Sequence, residues 1–131
     1  MIQQEEEHLG KKQFGWWLRR WRNQAGMGLR ELADKTHMSF TYLSKIERSD
    51  LPPPSEHKLR QLANVLRRDP EEVLGLAKRI PGDLMGIIRR NPRGYAQLLR
   101  VTRELSGEDL DQVTDQIRLL VARLGYEVDW Y

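Results

Sequence analysis

Cysteine is absent from the chain, which excludes disulfides and thiolate zinc sites. No apolar run approaches the roughly 18 residues that a membrane-crossing helix needs, so no membrane partner is expected. The opening Met1-Ile2-Gln3-Gln4-Glu5-Glu6-Glu7 is acidic where a secretory leader would be basic and then apolar. These absences lead to the expectation of a cytoplasmic protein. Catalytic signatures are missing as well: there is no nucleophile elbow, glycine-rich phosphate loop or HExxH. His8, His37 and His57 fall on separate segments without a ligand motif, and Glu71-Glu72 read as helix-start acids rather than a catalytic dyad. Neither an enzyme, a metal site nor a cofactor is expected.

Cations are plentiful, and they are unevenly spread. Residues 8–68 hold 13 Lys/Arg against five Asp/Glu, whereas residues 81–131 hold seven Arg against eight acids. A regional surplus suits a polyanionic partner better than general solubility does. The competing explanation is that these cations only solvate helix faces.

Strand signals are nearly absent, and apolar residues recur at helical spacing between Gly, Pro and Ser punctuation. The pattern predicts an all-α fold. A first helix over about Lys12 to Gln24 carries the stripe Phe14, Trp17, Leu18 and Trp21, and Ala25-Gly26 ends it. A second covers about Leu29 to Thr36, with Leu32 and Ala33 inward. After a tight turn at Thr36-His37-Met38, Ser39 is an N-cap candidate for a third helix, Phe40 to about Arg48. Pro52-Pro53-Pro54 is an extended connector. Ser55 is expected to cap a fourth helix with Leu59, Leu62, Ala63 and Leu66. Asp69-Pro70-Glu71-Glu72 opens a fifth, through about Lys78. Beyond Pro81, helices are expected over Asp83 to Arg90, from Pro92 or Arg93 to Leu105, and from a capping box at Ser106 to about Leu124. The last carries Leu110, Val113, Ile117, Leu120 and Leu124 as a heptad-like stripe.

Five short helices with a tight turn between the second and third describe a helix-turn-helix unit. The segments "LRRWR", "GMGLRELA", "SFTYLSKIE", "PPPS" and "LRQLANVL" occur in one register that resembles the XRE family, the Cro and phage-repressor type of regulators. The resemblance implies a five-helix phage-repressor-like domain over residues 14–80. An N-terminal extension, 1–13, precedes it, and a helical dimerisation or regulatory region, 81–131, follows.

In this family the third helix lies in the DNA major groove and presents base contacts from its N-terminal end. The resemblance therefore implies double-stranded DNA as partner and a nucleoid-associated location. Phe40, Thr41, Ser44 and Lys45 become the candidate base contacts. Thr41 suits a thymine methyl or a hydroxyl contact, Phe40 an apolar one, and Lys45 either guanine O6/N7 or a phosphate. Ser39, Arg30, Lys35, Arg48 and Arg22 are the candidate phosphate contacts, with Ser39 equally readable as only a cap. Arg22 and Glu47 match family positions at which an arginine of the first helix pairs with a glutamate ending the third. Two departures stand out: Phe40 occupies a position where polar residues such as glutamine are common, and His37 stands where glycine is usual. The latter position often requires positive φ, which histidine tolerates better than branched residues do.

Family members generally dimerise, which implies a homodimeric repressor reading a palindromic operator, with Leu110, Val113, Ile117, Leu120 and Leu124 as the dimerisation stripe. The alternative for these helices is to pack back and complete one core. Related repressors are switched off when a metallopeptidase cuts between C-terminal helices; the comparable place here is Leu105-Ser106-Gly107, which carries no cleavage motif. A different class of function is an antitoxin or adapter that masks a partner protein, with Glu5-Glu6-Glu7 and the tail Tyr126, Val128, Trp130 and Tyr131 as masking segments.

Overall fold

The computed structural model describes residues 13–129. Lys12, the acidic start and Trp130-Tyr131 lie outside the described residues. Every regular element among the described residues is a helix: α1 Phe14–Gln24, α2 Leu29–Thr36, α3 Phe40–Glu47, α4 Glu56–Leu66, α5 Pro70–Leu76, α6 Gly82–Arg90, α7 Pro92–Thr102 and α8 Gly107–Arg123. The chain forms two compact units, one up to Met85 and one from Gly86, so the boundary falls within α6.

In the first unit, α1 to α5 each contribute one stripe to a single core. Phe14, Leu18 and Trp21 of α1 meet Leu32 and Ala33 of α2, Leu43 and Ile46 of α3, Leu59, Leu62, Ala63 and Leu66 of α4, and Val73 and Leu74 of α5. Trp17 stays at the edge, half-buried against this cluster. The strongest helix pairings are α1 with α3, α2 with α3, α2 with α4, and α4 with α5. The α2–α3 pair is thus clamped from both sides.

Side-chain caps set several starts. The Ser39 hydroxyl accepts from the Tyr42 N–H at 3.0 Å, Asp69 accepts from Glu71 N–H, and Ser106 from Asp109 N–H. Ser55 precedes α4 without a side-chain cap bond. The ends are less ordinary. His37 has φ 55°, as its place in the turn requires, but Ser49, Arg67 and Lys78 are left-handed too, at 62°, 54° and 56°. Each follows a helix and turns its own N–H or the next one back to a free carbonyl, as Arg68 N–H does to Ala63 O at 2.8 Å. Such closures normally fall to glycine. They end α5 at Leu76 rather than Lys78, and α7 ends at Thr102 instead of Leu105.

Glu56 joins the start of α4 to that of α6. Its carboxylate accepts from the Gly82 N–H at 2.9 Å and from Arg60 Nε at 3.1 Å. The Gly82 bond, and then Arg60, hold its proton affinity below the usual carboxylate range. A lowered folded-state value means the contact is complete above the ordinary glutamate range and is lost as pH falls through the lowered value. The Gly82 amide resonance is accordingly expected to titrate with a midpoint below the ~4.3 of a free glutamate; a midpoint at or above it would count against the bond.

In the second unit, none of the described residues of α7 or α8 is buried. Leu98, Leu99, Val101, Leu110, Ile117, Leu119, Leu120 and Leu124 are all exposed, and Val113 is half-exposed.

Candidate nucleic-acid interface

The position of α3 is set at its two ends by different chemistry. At its C-terminal end, Glu47 is buried, its side chain 2% exposed, and its two oxygens are held by Arg22: Nε to Oε2 at 2.7 Å and Nη2 to Oε1 at 2.9 Å. Arg22 Nη1 donates to the Met27 carbonyl at 2.9 Å, tying the α1–α2 turn into the same network. Burial works against the charge on Arg22, but the Glu47 hydrogen bond outweighs it and raises the proton affinity of the guanidinium. With 12% of its side chain exposed, Arg22 is turned inward, a positioning group more than an outward-facing cation. Arg19, one turn earlier on α1, adds a third contact to Glu47 at 3.3 Å from a mostly exposed side chain.

At its N-terminal end, α3 lifts a polar and aromatic face into solvent. Phe40, Thr41 and Lys45 are exposed and Ser44 is half-buried, while Leu43 and Ile46 anchor the opposite side. That division follows from helical periodicity: residues 43, 46 and 47 share the inward stripe. Phe40 does not tuck into the core; the Arg30 guanidinium lies over its ring, 4.6 Å from the centroid. Tyr42 is covered in the same way by the Lys58 ammonium of α4, also at 4.6 Å.

Two of the remaining candidate cations are ion-paired. Lys35 pairs with Glu31 at 3.4 Å and Arg48 with Asp50 at 3.0 Å. All four side chains are exposed, so these pairs are cheap to exchange for another anion. Among the described residues, Lys45 and Arg30 have no carboxylate within ion-pair distance. The Ser39 hydroxyl is engaged as a cap. Lys58 and Arg19 were not singled out from the sequence. Arg19 shares a face with Arg22 at i, i+3 spacing, a legible signal; the stacking of Lys58 on Tyr42 has no sequence signature.

No group of three or more His, Cys, Asp or Glu among the described residues is placed to hold a metal ion. A cavity of about 530 Å³ lies between the start of α1 and the α3–α4 connector, walled by Phe14, Gly15, Ile46, Leu51, Pro52 and Leu76.

Two short helices joined by a tight turn, the second presenting its outer face, define a helix-turn-helix domain. The helix-turn-helix domain family matches residues 13–76, and no curated protein matches the chain. Among solved structures, the master regulator for biofilm formation SinR, crystallised in complex with DNA, is 33% identical over 47% of this chain and 97% of that one, with a TM-score of 0.45. A SinR–SinI complex matches at 22% identity over 83% and 98%, with a TM-score of 0.46. The clp gene regulator ClgR from Corynebacterium glutamicum matches at 26% over 70% and 92%, with a TM-score of 0.44. Residues 13–76 thus form a helix-turn-helix domain.

Proposed function

We propose that the chain binds double-stranded DNA sequence-specifically and acts as a dimeric repressor on a palindromic operator. The observation that carries this reading is the outer face of α3, where Phe40, Thr41, Ser44 and Lys45 are presented together by a helix locked from behind by Arg22 and Glu47. A major groove admits one helix, and side chains of these kinds match its base edges. Arg48, Lys35 and Lys58 flank the face as phosphate contacts, with Ser39 able to contribute through the helix start that it caps.

Duplex binding titrated with salt tests this. Affinity should fall linearly in log–log form, each phosphate-contacting cation contributing a slope of about 0.9. Arg48→Ala should lower the slope by about one such step and leave the sequence preference unchanged. Binding indifferent to salt would contradict the reading.

Dimerisation is the part assigned to the second unit. What supports it is that α7 and α8 bury none of their described side chains while exposing Leu110, Ile117, Leu120 and Leu124, apolar side chains of the kind an interface between copies covers. In sedimentation, the wild type should run as a dimer and Ile117→Asp/Leu120→Asp as a folded monomer with weaker operator binding. A wild-type monomer that co-purifies with an equimolar second protein would instead favour the masking role, since the same exposed surface suits a foreign partner.

A further inference from the structure

We propose that Arg30 and Phe40 form one reading unit, in which the Phe40 ring fixes the Arg30 guanidinium so that its edge reads a guanine. This inference rests on the DNA-binding reading above. It replaces a phosphate role for Arg30 and makes Phe40 a positioning residue as well as an apolar contact.

The two side chains come from different helices. Arg30 is the second residue of α2 and Phe40 the first of α3, so the guanidinium is carried to the end of α3 from which such helices contact bases. Its carbon lies 4.6 Å from the Phe40 centroid, within the range of a cation–π contact. A guanidinium lying over a ring spends a face on the aromatic, whereas its N–H donors all lie in its plane and point outward. Two of those donors match the O6 and N7 acceptors of guanine, the commonest specific contact in the major groove. Nothing among the described residues competes for them: the neighbouring Glu31 is paired with Lys35 and Glu47 with Arg22 and Arg19. Phe40 is itself 40% exposed and Arg30 is exposed too, so the pair stands in solvent at the face and not behind it. An arginine that served only as a phosphate grip would gain little from such orientation, because a phosphate accepts from many directions and a base edge from one. Lysine, which carries its charge as a point and lacks the planar fork, could not replace it.

Selection from a random duplex pool with wild type, Phe40→Leu and Arg30→Lys separates the roles. Phe40→Leu keeps an apolar side chain and removes the ring face; Arg30→Lys keeps the charge and removes the fork. Both are exposed positions, and circular dichroism would confirm that each variant folds. Each variant should lose a guanine preference at one and the same position of the half-site, by about tenfold or more given the usual discrimination of a bidentate pair. Their salt slopes should match the wild type. A 7-deazaguanine at that position, which lacks the N7 acceptor, should weaken the wild type and leave Arg30→Lys unaffected. If the wild type enriches a site and both variants enrich the same one, the pair proposal is overturned while DNA reading stands. If the wild type enriches no site, both fall.

Discussion

Replacing Gly15 with alanine is expected to destabilise the first unit by about 3 kcal/mol, the upper range for forcing an extra methyl into a packed contact. In an isolated helix the same change would help, by about 1 kcal/mol. The sign reverses because Gly15 lies against the last turn of α3. A Cβ there would collide with the Ile46 carbonyl oxygen and stand 2.7 Å from that of Glu47 and 2.9 Å from its carbon. These are backbone atoms, so no rotamer change relieves the collision; α1 and α3 must move apart. Gly75 in α5 is the internal control, with nothing within 4 Å of an added Cβ. Urea denaturation of Gly15→Ala and Gly75→Ala should therefore give opposite signs. Two stabilised variants would mean that α1 and α3 are less closely apposed than described.

Glu47→Ala should cost about 3–5 kcal/mol, the range for removing one partner of a buried ion pair. The loss exceeds that of a surface pair because Arg22 is nearly enclosed and would keep only its bond to the Met27 carbonyl. Arg19, being mostly exposed, cannot take over and loses little itself. The double variant Arg22→Met/Glu47→Leu should be more stable than the sum of the single losses, because neither charge is then stranded. Operator affinity should fall in Glu47→Ala beyond what unfolding explains, since the network holds the C-terminal end of α3. Additive stability losses in the double variant would contradict the coupling.

Much of the first unit was legible in the sequence because its signals are local. Ser39 and Asp69 announce helix starts through chemistry that needs no partner, as Ser106 does in the second unit, and Leu32, Leu43, Ile46 and Leu59 fall on stripes that periodicity alone exposes. His37 was legible as a positive-φ position because it stands where the family it resembles usually has glycine. Ser49, Arg67 and Lys78 were not, because nothing in those residue types signals a left-handed closure. Arg22 and Glu47 could be paired from their family positions, whereas Arg30 on Phe40 and Lys58 on Tyr42 join helices whose crossing no spacing encodes. For α8, the apolar stripe was plain in the sequence; that its described side chains stay unburied emerges only when the helices are placed.

Whether α3 reads sequence is tested most directly by selecting duplexes from a random pool with the wild type and with Thr41→Ala/Lys45→Ala. The wild type should enrich a palindrome with half-sites roughly 34–36 Å apart, and the variant should bind the same pool without that preference. A wild type that binds without enrichment, indistinguishable from the variant, would reduce the basic face to a generic grip on polyanions and contradict sequence reading by α3.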